Sequence, residues 1–292
     1  MLSICIPTYN TDCSELLDIL ANQIAQLEET LEVLVYDDFS TDYVCKNQEA
    51  CERNGFLFFE NQSNLGSIST RIKLAKKSSF NWLLFVDADM LPKTDEYIIQ
   101  YTNFITFNKA DIAIGGCCYA DEIKPFNLRL KYGKNREEIS AKKRQLNPYN
   151  SILFGNVLIK KKKLFNEVFD DFNDMAYGED IYLSSFLKSL NKDVVHLPNE
   201  TYHLGIENNR EFVKKIRKSA EMYARLDSNS TLDLSHIKLV RTYSLLKWYM
   251  SHNLMKFSLA ITSPLLKTVL ITFGGPLLFA DLLRLFYFLK AK

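Results

Sequence analysis

An α/β fold built on a mixed, mostly parallel sheet flanked by helices is what this sequence predicts, on three observations. Residues 82–86 (WLLFV) are apolar without alternation, as a strand buried on both faces of a covered sheet is, and the run stops abruptly at two carboxylates, Asp87 and Asp89. A second run, residues 31–36 (LEVLVY), stops in the same way at Asp37 and Asp38. Strand-like and helix-like patterns alternate through the first half of the chain, as they do in successive β-α-β units. An unpaired carboxylate is too costly to bury, so both strands must emerge at these acids, on the sheet's carboxyl edge, where open α/β sheets bind ligands.

In chain order, residues 2–6 (LSICI) read as the first strand, stopped by Pro7 and followed by a polar loop, Thr8-Tyr9-Asn10. Leu16, Leu20, Ile24 and Leu27 recur at helical spacing, with Ser14 and Glu15 as amino-terminal cap and first turn. The strand 31–36 comes next, then a third strand at 56–59 (FLFF) and a turn from Asn61 to Gly66. Arg71, Lys73, Lys76 and Lys77 lie on the helix that leads into the central strand. Beyond it, residues 112–119 (IAIGGCCY) form a strand that enters a charged stretch, residues 121–144. There Lys131, Lys134, Arg136, Lys142, Lys143 and Arg144 outnumber the acids, as a solvated helix or a mobile cover over anionic groups requires. Residues 152–159 (ILFGNVLI) return to the sheet. Gly178-Glu179-Asp180 open a helix with Leu183, Phe186, Leu187 and Leu190 on one face. His196 sits in a strand, His203 in a polar loop, and residues 209–227 form an amphipathic helix.

Composition narrows the classes of partner. The chain has 292 residues, enough for one large domain and a smaller appendage, and its 36 Lys and Arg against 35 Asp and Glu remove the electrostatic case for nucleic acid. Six cysteines without a CxxC pair fit buried free thiols in a reducing cytosol, so the sequons at Asn61, Asn199 and Asn229 are coincidences of composition. No secretory signal precedes the first strand.

Carboxylates at i and i+2 in extended backbone, such as Asp87 and Asp89, fall on one side and suit a hard divalent ion whose other positions hold phosphate oxygens. Two solvated acids at a strand end would look the same. A second acidic strand end beside the first can accept the imino hydrogen of a uracil or the hydroxyls of a ribose, which gives a nucleotide site a physical rationale. Acids at Glu179 and Asp180 either favour the helix dipole or serve a reaction as a base.

The opening SICIPTYN, VLVYDDFSTD, the stretch from Asn64-Leu65-Gly66 to Arg71, FVDAD and GED together resemble the family 2 glycosyltransferases with the GT-A fold, over roughly residues 1–225. The middle part (RLKYGKNREE, FGNVLI, YHLGIENN) resembles a bacterial subgroup. The chain departs from the family pattern after Arg71, where Ile72 and Leu74 stand in place of Asn and Gly. The resemblance implies an inverting transfer of a sugar from a nucleoside diphosphate donor, a UDP-sugar above all, to a saccharide or lipid-linked acceptor in surface polysaccharide synthesis. It makes Asp180 the base that takes the acceptor's proton, with Glu179 positioning the acceptor or the base. Pro7, Thr8, Asp38, Arg71 and Asp87 would hold the donor nucleotide and its phosphates. Asp89, with His203 as a further ligand, would bind Mn2+ or Mg2+. Donor selection falls to the 115–150 and 150–180 regions.

Two domains follow: residues 1–227, carrying the nucleotide-sugar site, and residues 228–292, a helical apolar extension. The longest uncharged run near the end, residues 268–280, is shorter than the ~20 residues a bilayer span requires. Helices lying on the inner leaflet of the cell membrane, or a hairpin packed against the catalytic domain or a second subunit of a homo-oligomer, are the two uses left for the tail. Two other functions stay open on the residues alone: a haloacid-dehalogenase-type phosphatase, whose strand also ends in DxD, and a non-catalytic sugar-nucleotide-binding subunit.

Overall fold

Strand β1 (Leu2–Thr8) is the hinge of the architecture: it pairs in parallel with β2 (Leu31–Asp37) on one side and β4 (Trp82–Val86) on the other, and all but one of its residues are buried. The structure, a computed structural model, describes residues 1–120, 126–161, 178–228 and 232–292. Among these, the main sheet has seven strands in the order β3-β2-β1-β4-β8-β6-β9, with β3 Leu57–Glu60, β6 Ile112–Ile114, β8 Asn156–Lys160 and β9 Val195–His196. Strand β8 runs antiparallel to both neighbours and the other pairs are parallel, which is the mixed, mostly parallel sheet that the sequence predicts. A smaller sheet, β5 (Met90–Pro92), β10 (Thr201–His203) and β7 (Cys117–Cys118), stands at its carboxyl edge.

Helices α1 (Ser14–Ile24), α2 (Val44–Asn54), α3 (Ser67–Lys77) and α4 (Tyr97–Phe107) connect the strands. The core beneath the sheet packs Leu16, Leu17 and Leu20 of α1 and Tyr97, Ile98 and Tyr101 of α4 against Ile4, Ile6, Val33, Leu84 and Val86. All six cysteines are free thiols, and only Cys45 is exposed. Burial pushes the Cys5 and Cys51 thiols up to about 12, so both stay protonated. Of the three sequon asparagines, Asn61 and Asn199 are buried and Asn229 lies outside the described residues.

Several local expectations are corrected. Ser14 does not cap α1. It is the first helical residue, and Asp12 Oδ1 takes both its amide (3.0 Å) and its hydroxyl (2.7 Å). Residues 112–119 are two strands, broken at Gly115-Gly116, where a Cβ on Gly116 would fall 2.4 Å from Arg144 Nη1. Arg144 is therefore no part of a mobile cover. It is buried, donating to the carbonyls of Ile139, Gly115 (2.7 Å) and Leu197 (2.7 Å) and to His196 Nδ1 (3.2 Å). Burial, with the nearby guanidinium, pushes His196 down to about 4, so this imidazole is a neutral acceptor that pins β9.

Strand β8 starts at Asn156 rather than Ile152, and that residue anchors the chain under the site. Its amide oxygen accepts from the hydroxyls of Tyr97 (2.8 Å) and Tyr101 (2.6 Å), and its nitrogen donates to the carbonyls of Gly116 (2.8 Å) and Asn199 (2.9 Å). A fully buried amide with two donors and two acceptors satisfied is held firmly.

The described chain falls into two compact units, and the division is not at residue 227. Residues 1–120, 139–161, 178–180 and 193–205 make the first, and residues 126–138, 181–192, 206–228 and 232–292 the second. The helix Asn209–Ser228 belongs to the second unit because its apolar face, Phe212, Val213 and Ile216, packs on Leu128, Leu270, Ala280 and Leu283. The tail helices, Lys238–Leu246, His252–Phe273 and Leu277–Ala291, complete that unit. Of these, His252–Phe273 is long and apolar enough to cross a membrane by length and composition, with a mean hydropathy of 1.5. The uncharged-run criterion overlooks it because Lys256 and Lys267 interrupt the sequence without ending the helix.

Candidate active site

The ends of β1 and β2 are tied by the Asp38 amide, which donates to Thr8 O (2.9 Å). Asp37 turns inward and is closed off by Ser40, which gives it an amide (2.7 Å) and a hydroxyl (2.6 Å). Asp38 Oδ1 accepts from Asn61 Nδ2 (2.8 Å) and the Leu65 amide (2.8 Å), and Oδ2 from the Gly66 amide (2.8 Å). Three of a carboxylate's four acceptor positions are thus spent on holding the Asn61–Gly66 turn, and one on Oδ2 remains for a nucleobase donor. Gly66 makes this wrap at φ +85°, a conformation that side chains disfavour. Thr8 is buried with its hydroxyl donating to Thr11 O (3.1 Å), and Pro7 lies half-buried in β1 opposite Tyr36.

Asn10, which the sequence marks only as a polar loop residue at the end of SICIPTYN, laces the two loops. Its side-chain oxygen accepts from the amides of Thr41 (2.8 Å) and Asp42 (3.1 Å), and its own amide donates to Ser40 Oγ (2.8 Å). Asn10, Phe39 and Tyr43 all adopt left-handed backbone here. Three such non-glycine residues around one loop pair store strain of the kind found at ligand-binding edges.

At the end of β4 a buried guanidinium organises the acids. Arg71, on α3, is 3% exposed; its Nη1 donates to Glu179 Oε1 (2.7 Å), its Nη2 to Asp87 Oδ1, and its face lies 4.9 Å from the Phe154 ring centroid. Burial opposes its charge, but Glu179, Asp87 and Asp180 outweigh that and hold it above its ordinary value. The resemblance assigns Arg71 to the donor phosphates. Here its guanidinium pairs with Asp87 and Glu179 and so fixes the direction of both acids. Glu179 also accepts from Ser67 Oγ (2.5 Å). Gly155 leaves room for Asp87, whose Oδ2 lies 2.3 Å from where a Cβ would be.

Asp180 is the chemically distinct member. It opens the helix Glu179–Ser189, its Oδ1 accepts from the Phe154 amide (2.6 Å), and it belongs to the first unit with Arg71 and Asp87. Burial foremost, then the neighbouring Glu179, push its carboxyl up to about 7 against the partial relief from Phe154 and Arg71. A carboxyl that exchanges its proton near neutrality can act as a general base.

Asp89 and His203 meet across β5 and β10. His203 ends β10 rather than sitting in a loop, and its antiparallel register opposite Met90 brings Nε2 to 3.8 Å from Asp89 Oδ2. Leu204 donates to Asp89 O (2.8 Å), and a Cβ on Gly205 would come 2.1 Å from Asp89 Oδ2. One carboxylate and one imidazole, each partly open to solvent, form a donor pair suited to Mn2+ or Mg2+ with the remaining positions taken by substrate oxygens. Among the described residues no three His, Cys, Asp or Glu side chains cluster as a self-sufficient metal cage. The 115–150 and 150–180 regions assigned to donor selection lie partly outside the described residues, at 121–125 and 162–177.

Comparison with known proteins bears on this geometry. The model of the Glycosyl transferase family 2 matches residues 3–169. An uncharacterized glycosyltransferase of Haemophilus influenzae is 29% identical over 106 residues, so the match spans about a third of this chain and of that relative (34% of each). The mannosyltransferase PcManGT from Pyrobaculum calidifontis, solved with GDP-Man and Mn2+, superposes with a TM-score of 0.57 at 13% identity, covering 99% of this chain and 85% of that one. Glucosyl-3-phosphoglycerate synthase from Mycobacterium tuberculosis, solved with Mn2+, UDP and its glucosyl product, gives 0.53 at 13% identity, covering 80% and 81%. Residues 1–349 of S. aureus TarS give 0.51 at 19% identity, covering 75% of this chain and 64% of that one. At such identities these structures speak for the fold.

Proposed function

The chain belongs to the Glycosyl transferase family 2, and from that premise we propose that it is an inverting, metal-dependent transferase moving a sugar from a nucleoside diphosphate donor to a hydroxyl acceptor. The observation that carries the reading is Asp180, a carboxyl raised to about 7 beside the Arg71–Asp87–Glu179 cluster at the carboxyl edge of the sheet. Asp180 Oδ2 takes the acceptor's proton as the acceptor oxygen bonds to the anomeric carbon and the bond from that carbon to the diphosphate oxygen breaks. The nucleoside diphosphate leaves on the opposite face, so the product has inverted configuration. General-base assistance of this kind is typically worth about 10²–10⁴ in rate.

Pro7, Thr8 and Asp38 hold the nucleoside at the β1 and β2 ends. Asp87, kept in place by Arg71, faces the ribose and diphosphate. Asp89 and His203 would hold the divalent cation, which supplies charge neutralisation for the departing diphosphate. The donor is a UDP- or GDP-sugar, by analogy with the nucleotides in the structural neighbours. The acceptor is a saccharide or lipid-linked sugar of surface polysaccharide synthesis, and the free thiols fit a cytosolic enzyme. Neither the phosphatase nor the scaffold alternative has such support: Asp87, which would be the phosphatase nucleophile, is already bonded to Arg71, and a passive binder has no use for a base tuned to neutrality.

Calorimetric titration with UDP, GDP and their sugars, with and without Mn2+, tests the donor site. Mn2+-dependent nucleotide binding that disappears in Asp89→Ala is the expected result. No nucleotide binding under any condition would overturn the reading.

A further inference from the structure

Between Asp233 and Asp281 the chain contains no acidic residue, while Lys238, Arg241, Lys247, Lys256 and Lys267 fall in the same stretch. A segment of that length with cations alone departs sharply from the balanced charge of the whole protein. The helix His252–Phe273 in its midst turns Leu254, Phe257, Ile261 and Leu265 to solvent, each more than half exposed. Their spacing of three, four and four places them in one stripe, and Lys256 and Lys267, eleven apart, share one side of the helix, about 80–100° round from Phe257 at the stripe's edge. The preceding helix, Lys238–Leu246, runs into Trp248 and Tyr249, which are 86% and 88% exposed.

We propose that this face of the second unit is a docking surface for an anionic lipid bilayer. The apolar stripe enters the headgroup boundary, Trp248 and Tyr249 sit at the interface with their polar edges in water, and the lysines meet the lipid phosphates. Charge decides the occupant. A second copy would bring cations against cations, and a neutral apolar partner would have no use for them. The helix lies along the membrane rather than across it, because its inner face is already used. Met255 packs with Ala220 and Ala224, and Leu270 with Phe212, Val213 and Ile216, all on Asn209–Ser228. That helix carries Lys214, Lys215, Arg217 and Glu221 with it, and hydrocarbon would not accept them. The proposal stands independently of the transfer reaction.

Vesicles of phosphatidylcholine alone, and of phosphatidylcholine with phosphatidylglycerol at seven to three, are the probes. The full chain should co-sediment with the anionic vesicles and not with the neutral ones. Its tryptophan emission should shift to the blue, a signal from Trp248, since the chain's other tryptophan, Trp82, is buried already. Lys256→Gln should weaken partition about fivefold, the equivalent of about 1 kcal/mol per basic residue near a charged surface. The double variant Phe257→Ser, Ile261→Ser should lose binding while keeping its circular dichroism and nucleotide affinity, since both side chains are exposed.

Three results would overturn the proposal. They are a folded chain that ignores anionic vesicles, a chain that resists extraction at high pH as a spanning helix does, and a dimer in sedimentation velocity that Phe257→Ser dissociates.

Discussion

Replacing Asp180 by Asn separates the two consequences of the position this carboxyl occupies. Asparagine keeps an oxygen for the Phe154 amide, 2.6 Å away, and removes only the ability to carry charge and take a proton. In the wild type the carboxyl is raised from 3.8 to about 7, roughly three steps at 1.36 kcal/mol each, or on the order of 4 kcal/mol of preference for the protonated form in the folded state. The sign follows from where the proton is. Below the unfolded value both states are neutral, and variant and wild type should be equally stable. From about pH 4 to pH 7 unfolding the wild type releases a proton, so its stability falls relative to the variant. Above pH 7 the difference levels off, with Asp180→Asn the more stable by up to several kcal/mol. Activity should move the other way: a loss of about 10²–10⁴ in turnover with donor affinity retained. The wild type's rate should rise with pH towards a plateau above about 7, a limb the variant lacks. Thermal melts between pH 4 and pH 8, together with sugar-transfer rates over the same range, read both. A stability difference that does not change with pH, or a variant within tenfold of normal turnover, would refute the reasoning.

Two further perturbations probe the groups around it. Gly205→Ala should cut Mn2+-dependent nucleotide affinity at least tenfold in calorimetry without unfolding the protein, because the new methyl would displace Asp89 Oδ2 from 2.1 Å; unchanged affinity would remove Asp89 from the metal. Arg71→Met leaves Asp87 and Glu179 without their cation, which should cost about 3 kcal/mol in urea unfolding, the lower end for a broken buried pair since both acids are partly solvated. With the guanidinium gone, Asp180 loses an interaction that lowers it, so the acidic limb of the pH profile should move to higher pH.

The strands of the sheet were legible because full burial leaves a plain mark: Trp82 to Val86, and Val33 to Tyr36 in the second strand, are buried apolar runs without alternation, and the acids that close them fall where each strand ends. The acidic cluster was legible as residues but not as an arrangement. Nothing local in Arg71 tells a solvated helix cation from a guanidinium buried between two carboxylates; that depends on Glu179 arriving more than a hundred residues later. His203 looked like a loop residue because a three-residue strand is too short for period-two alternation to register, and its partner, β5, is equally short. Arg144 was read as a surface charge for a similar reason. Most of its partners are carbonyls, which carry no sequence signal, and Gly116 alone hints that something bulky lies close. Asn156 and Asn10 share this property, since an amide that satisfies backbone groups looks in sequence like any polar residue. The tail's helices were expected, whereas the length of His252–Phe273 was hidden by two lysines that a helix tolerates on its flank.

The pairing of β5 with β10 has a consequence for how the molecule comes into being. Asp89, just before β5, and His203, at the end of β10, are more than a hundred residues apart in the chain and are brought together by the three residue pairs that join those strands. Contacts of such separation form late, after the entropy of closing the intervening chain has been met by other packing. A chain still being synthesised can hold the β1–β4 region, with Asp89, before His203 has been made, so under the proposed function half of the cation-binding pair would be missing until then. Capture of a cation would accordingly wait for the later part of the chain.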